Sequence, residues 1–187
     1  LERFLAIRGD APVHFFLDTA YDEKKESGND PSGIIAACRL QGKMYVFHGQ
    51  KMYKEFPDLC RFIVEYVRNY GYTGRSTVRI EPKANGVSII QQMRRHTKLN
   101  ITRTPAPKDS KTVRLTAASP KIECGRVVLV DGAWNDEFLD EVCGFPAKSH
   151  DEYVDILCYA IDYLLDDDGD SEDEIQSLRE LERMAEL

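Results

Sequence analysis

The six residues Val13-His14-Phe15-Phe16-Leu17-Asp18 narrow the possible folds of this chain more than any other stretch. The run is almost continuously apolar and stops at a carboxylate. Such a run reads as a strand buried on both faces, which needs a layer of structure on each side. The expectation is a central strand of an α/β sheet. After the polar stretch "DEKKESGNDP", the segments "SGIIAACRL" and "KMYVFHG" flank Gln41-Gly42 as the arms of a hairpin. Phe56, Leu59, Cys60, Ile63, Val67 and Tyr70 then recur at helical spacing over roughly residues 57–70, with Gly71 placed to stop the helix. In the strand "STVRIEP", Val78 and Ile80 share one face and Glu81 takes the other, and Pro82 ends the ladder because it has no amide donor.

Asn85 is placed to cap a helix carrying Ile89, Ile90 and Met93, followed by a short strand "ITRT" and a turn "PAPKD". Asp109 or Ser110 can cap a helix over roughly residues 110–119. A strand "RVVLV", a helix beginning near Trp134 and a last helix from His150 to about Leu165 complete the order. That order, β-β-β-α-β-α-β-α, predicts an α/β fold in which an antiparallel hairpin joins parallel strands, with helices flanking the mixed sheet.

Charge divides the chain. Its net charge is −7, yet residues 166–187 hold ten acids against two arginines, leaving residues 1–165 close to neutral. One globular domain over residues 1–165 and an acidic tail over 166–187 is the expected organisation. Leu178, Leu181 and Met184 could form a short amphipathic helix on a partner, although an unstructured tail is the expectation. Between Arg75 and Arg126, twelve basic residues face three acidic ones, a footprint suited either to phosphate or simply to solvent. The five cysteines form no C-x-x-C, which argues against a zinc ribbon or a disulfide framework and fits a reducing cytoplasm. No apolar run approaches the ~20 residues of a membrane span. The chain starts at Leu1 and not at Met, so it is expected to be a piece of a longer protein.

Groups that work on a ligand gather beyond the carboxyl ends of strands in open α/β sheets, and Asp18 and Glu81 both occupy that position. If their strands are neighbours, the two acids form a like-charge pair that a cation or a shared proton must relieve. The last helix supplies a third component. On a wheel of about 100° per residue, Asp155 falls about 40° and Asp162 about 20° from Asp151, beside the arc of Val154, Leu157, Cys158 and Ile161. Asp151 and Asp155 are an i,i+4 pair of like charge, mildly unfavourable in an isolated helix. Glu152 points elsewhere, and with Ser149 it completes an S-x-x-E capping box. Each acid has an ordinary alternative: favourable charge at a helix start for Asp151 and Glu152, a strand-end turn for Asp18, and a surface partner of Arg79 or Lys83 for Glu81. Together they fit a single metal site better. Oxygen donors without a Cys/His cluster suit Mg²⁺ or Mn²⁺. The chemistry that uses two such ions, ~3.5–4 Å apart, is in-line phosphoryl displacement. A nuclease is the leading reading of the residues alone.

The same residues carry a resemblance. "FFLDTAYDEKKESGNDPSGII", "IEPKANG", "DSKTVRLTAASPKIECGRVVLV" and "FPAKSHDEYVDILCYAI" together resemble, over about residues 13–165, the C-terminal nuclease domain of tailed-bacteriophage terminase large subunits, members of the ribonuclease-H-like superfamily. The resemblance implies a ribonuclease-H-like fold and a two-ion Mg²⁺ or Mn²⁺ site. Its ligands and catalytic groups would be Asp18, Glu81, Asp151 and Asp155, with His150 and Glu152 standing next to the metals. At Glu152 the family more often has Asp, and Ile156 replaces its usual Ala. Lys83, Lys108, Lys111 and Arg114 are implied as contacts to the DNA backbone, which position the duplex and do not specify sequence. Implied partners are double-stranded DNA, the packaging ATPase domain of the same polypeptide, the portal protein and the small terminase subunit, in the cytoplasm of a bacterial host and without a membrane. The ATPase's phosphate loop, G-x-x-x-x-G-K-[ST], does not occur in this sequence, so this chain would cut but not pump. The alternatives are another nuclease of the superfamily, such as a junction resolvase or an RNA–DNA hybrid nuclease, and a non-catalytic DNA- or motor-docking module.

Overall fold

A computed structural model describes residues 2–19, 31–83 and 86–166. The polar loop before Pro31, the helix cap expected at Asn85 and the tail beyond Asp166 lie outside the described residues. The elements are α1 (Glu2–Arg8), β1 (His14–Asp18), β2 (Ser32–Leu40), β3 (Lys43–Met52), α2 (Phe56–Asn69), β4 (Thr77–Ile80), α3 (Gly86–His96), β5 (Ile101–Arg103), α4 (Lys111–Glu123), β6 (Val127–Leu129), α5 (Asn135–Gly144) and α6 (Glu152–Leu165). The strands form one sheet in the order β5-β4-β1-β2-β3-β6. β1 pairs antiparallel with β2 and parallel with β4, β2 and β3 are antiparallel, and the β3–β6 and β4–β5 pairs are parallel. The expected mixed sheet flanked by helices is therefore the fold. β1 lies inside the sheet with Phe15, Phe16 and Leu17 buried, as its unbroken apolar run requires.

Alternation along β1 divides the core. Phe15 and Leu17 face α1, α2 and α3, whereas Phe16 faces α4, α5 and α6. Gln41 and Gly42 both have positive φ, the two-residue hairpin turn that matches strand twist. α2 and α4 each end on a left-handed glycine. Tyr72 N–H returns to Val67 O beyond Gly71, and Arg126 N–H returns to Lys121 O beyond Gly125. β3 contains one irregularity: Ala36 pairs with His48 but Ala37 pairs with Val46, so Phe47 is an extra residue that bulges the strand. Before the bulge Met44 and Val46 face α6. After it Gly49 does, against Trp134 and Tyr153.

Several boundaries differ from the sequence reading. α1 is unforeseen; at seven residues it is too short to stand alone, and its Phe4 rests on Tyr45 and Phe47. α4 runs through Pro120 to Glu123 and does not stop near residue 119. Proline there removes one amide from the last turns while Cys124 N–H still reaches Pro120 O. Ser110, not Asp109, caps that helix, accepting from Val113 N–H. α6 begins at Glu152, two residues later than expected, with Asp151 at its N-cap. No helix among the described residues is long and apolar enough to cross a membrane, and all five cysteines are free.

Candidate metal centre

Strand parity aims the first two acids. Asp18 follows Phe16 by two residues and Glu81 follows Arg79 by two, so both point to the α6 face of the sheet. β1 and β4 are parallel neighbours with Leu17 opposite Ile80, which sets Asp18 and Glu81 side by side at the carboxyl end of the sheet. Glu81 N–H extends the ladder by one bond, to Leu17 O at 3.1 Å. Its far side is held by α3. Gly86, the first residue of that helix, packs so closely on the Glu81 peptide that a Cβ there would lie 1.9 Å from the carbonyl oxygen. Only glycine permits this approach.

The third acid arrives on α6. Gly33, opposite Asp18 in β2, has no side chain, and a Cβ there would sit 3.2 Å from Glu152 Cβ. The first turn of α6 thus lies directly over the end of β1, bringing in Asp155. Among the described residues Asp18, Glu81 and Asp155 are the one group of three or more such side chains with ligand oxygens all within 4.8 Å of one another. Glu81 and Asp155 are each 1% exposed. Burial, reinforced by the charges of Glu81 and Asp155, pushes the Asp18 carboxyl up to about 7. Glu81 Oε2 and Thr19 Oγ1 are buried without a hydrogen-bond partner among the described residues. Three converging carboxylates with an orphaned oxygen fit a hard divalent cation, which prefers an all-oxygen shell.

Basic side chains surround the triad from one side. Lys111 of α4 bonds Asp151 and lies 2.7 Å from Asp155 Oδ2, and Arg114 one turn on bonds Asp155 Oδ1. Burial acts to lower the Lys111 pKa, but hydrogen bonds to Asp151 and Asp155 outweigh it and hold the pKa at about 12. Arg114 also lies 5.1 Å over the Tyr159 ring. Lys83 meets Glu81 from the solvent side, and Lys108 is exposed in the loop before α4. Of the residues marked out in the sequence, Asp18, Glu81 and Asp155 converge. Asp151 stands at their rim, outside the triad and paired with Lys111.

Glu152 belongs to a different cluster. The capping box expected with Ser149 does not form, because the helix starts later and Glu152 is drawn inward. It is 4% exposed, and its Oε2 lies 3.4 Å from Lys51 Nζ. Burial pushes its carboxyl up, while the Lys51 charge pulls it down. His150 Nδ1 lies 3.6 Å from Glu152 Oε1. Lys51 also bonds Glu141 of α5, whose other oxygen accepts from Tyr153 N–H at 2.6 Å. Neither Lys51 nor Glu141 stands out in the sequence reading. The available signal was that Glu141 shares a helical face with Trp134 and Phe138, where an acid is out of place.

The profile of the "Terminase RNaseH-like domain" family matches residues 20–164. No curated protein matches the sequence. Among solved structures, the large terminase nuclease from thermophilic phage G20c with bound zinc superposes at a TM-score of 0.60 and 19% identity, covering 82% of each chain. The large terminase of a second thermophilic bacteriophage gives 0.64 at 11% identity, over 84% of this chain and 40% of its own. The human cytomegalovirus terminase nuclease domain gives 0.58 at 13% identity, over 84% of this chain and 86% of its own. At these identities the likeness is one of fold.

Proposed function

The chain belongs to the terminase RNaseH-like domain family, and from that premise we propose that it is the metal-dependent endonuclease domain of a phage DNA-packaging terminase. Its reaction would be hydrolysis of phosphodiester bonds in concatemeric double-stranded DNA at a two-ion centre. The observation that carries this reading is the meeting of three carboxylates at the carboxyl end of β1 and β4, their ligand oxygens all within 4.8 Å of one another. Asp18, Glu81 and Asp155 would hold Mg²⁺ or Mn²⁺, with Asp151 and Glu152 within a turn of Asp155. Magnesium in the G20c nuclease and manganese in the soaked cytomegalovirus domain support that choice. The chemistry such ions supply is polarisation of the scissile phosphodiester and of the attacking water.

The remaining roles fall to the chain's own groups. Burial and the acids beside it make the Asp18 carboxyl hold its proton up to about 7, and in its ionised form Asp18 would be a ligand. Lys111 and Arg114, which pair with Asp155, would be the cations nearest to a phosphate oxygen of bound DNA. Lys83 and Lys108 extend the same positive rim toward the DNA backbone. This reading brings with it the packaging ATPase domain, the portal protein and the small terminase subunit as partners, and the host cytoplasm as the place of action. The organisation into a nuclease domain over residues 1–165 and an acidic tail over 166–187 is part of the proposal.

Supercoiled plasmid has no ends, so its linearisation reports endonuclease activity. We expect linearisation with Mn²⁺ or Mg²⁺, none with EDTA and none in Asp18→Asn. Preference for branched or RNA–DNA hybrid substrates would point to a junction resolvase or hybrid nuclease. Absence of both cleavage and carboxylate-dependent Mn²⁺ binding would leave a docking module.

A further inference from the structure

The helix that carries Asp155 is capped from outside itself. The first amides of a helix lack partners within it and are ordinarily met by the side chain at its own N-cap. Asp151 holds that position in α6 but makes no such bond, its carboxylate being turned to Lys111. Glu141, twelve residues before Tyr153 and near the end of α5, does the work instead, accepting from the Tyr153 amide at 2.6 Å in a buried setting. The arrangement is locked at its other end. Lys51 Nζ bonds the second oxygen of Glu141, lies 3.4 Å from Glu152 Oε2 and sits 5.0 Å over the Tyr153 ring. Lys51 faces α6 because the bulge at Phe47 shifts the alternation of β3 by one residue.

These contacts join α5, β3 and the first turn of α6. Asp155 lies two residues beyond the capped amide, and its own N–H makes a bond of that turn, to Asp151 O at 3.2 Å. A first turn held from outside is fixed in depth and rotation relative to the sheet, whereas one capped by its own residue is free to move with them. We propose that Glu141 is a positioning residue for the carboxylate centre: by capping Tyr153 it sets where α6 delivers Asp155 to Asp18 and Glu81, with Lys51 supplying the counter-charge. This rests on the metal-centre reading above and extends it to a residue with no contact to the metal.

The test measures Mn²⁺ affinity by calorimetry on the full chain, below each variant's melting temperature, beside deuterium exchange of the Tyr153 amide. Glu141→Ala should weaken Mn²⁺ binding by about tenfold, the lower end of what outer partners of a metal site cost, and speed Tyr153 exchange. Glu141→Gln keeps an accepting oxygen and should restore most of the affinity. Lys51→Met should weaken binding in the same direction and decides the question if Glu141→Ala does not fold. Wild-type affinity in the Glu141→Ala or Lys51→Met protein, even with a lowered melting temperature, would overturn the proposal, since a merely structural role predicts it. Failure of the underlying reading looks different: the unmutated chain would then bind no Mn²⁺ that Asp155→Asn abolishes, and both inferences would fall together.

Discussion

Two acid clusters flank the first turn of α6, made of similar parts with opposite closure. On one side Glu141 and Glu152 meet around Lys51, and every partner comes from the chain. On the other, Asp18, Glu81 and Asp155 meet one another, with Lys111 and Arg114 paired to Asp155 and Lys83 to Glu81. A buried charge must be paired, solvated or neutralised by a proton. In the Lys51 cluster one lysine is shared by two acids, whereas burial and its acidic neighbours hold a proton on Asp18, its carboxyl pushed up to about 7. The contrast separates a cluster that ties α5, β3 and α6 together from one whose three ligand oxygens could hold a metal ion.

The largest way to break the comparison is Asp18→Asn. Cleavage should fall by more than the ~10–100-fold that outer partners of a metal site cost. In EDTA at pH 8 the same substitution should stabilise the chain by about 0.5–2 kcal/mol, because it removes a buried charge that the neighbouring Glu81 and Asp155 disfavour. Chemical denaturation checks the second point, and a destabilised Asp18→Asn would count against the open cluster. Next in size is Gly86→Ala. The Cβ that meets the Glu81 carbonyl forces the strand end and helix apart, with an expected loss of about 1–3 kcal/mol and weaker Mn²⁺ binding. Unchanged melting and affinity would show that Glu81 does not depend on that approach.

A pH series sharpens the same contrast. Because the folded Asp18 holds its proton to about 7 and the unfolded chain loses it near the ordinary carboxylate value, the folded state binds the extra proton between them. That contribution to stability is fully present below about pH 4 and is lost as pH rises through about 7. Denaturant midpoints of the metal-free chain and of Asp18→Asn should therefore diverge over that window, and saturating Mn²⁺ should remove the decline. Parallel curves would argue that Asp18 is not the proton's site. The smallest effect belongs to Lys111→Met. It should lower the salt dependence of DNA binding by about one unit of log–log slope, while Mn²⁺ affinity rises because a competing cation is gone.

Much of the architecture is legible in the sequence because its signals are local. The apolar run of β1, the Gln41-Gly42 turn and the stop at Gly71 each depend on a few adjacent residues, and the structure has them where they are expected. Asp18 and Glu81 are legible for the same reason, each ending a strand whose parity can be counted. What escapes is set by contacts between distant segments. α1 exists because Phe4 finds Tyr45 and Phe47. The first turn of α6 meets Glu141 and Lys51 in place of a capping box with Ser149. A helical wheel gives Asp151 and Asp155 nearly the same direction, yet one turn of depth separates a rim carboxylate paired with lysine from one 1% exposed.

The bulge at Phe47 gives β3 two phases. Ahead of it the strand is in step with β6, and behind it the even and odd positions trade faces so that Gly49 and Lys51 meet α6. Deleting Phe47 would take the bulge out and leave Ala36 opposite His48 and Ala37 opposite Val46, so Lys51 would still meet α6. Deleting Gln50 would keep the bulge and turn Lys51 to the other face. Glu141 and Glu152 would then confront each other without their lysine. The distance between a fastening and an unpaired acid cluster is, in this strand, one residue of reading frame.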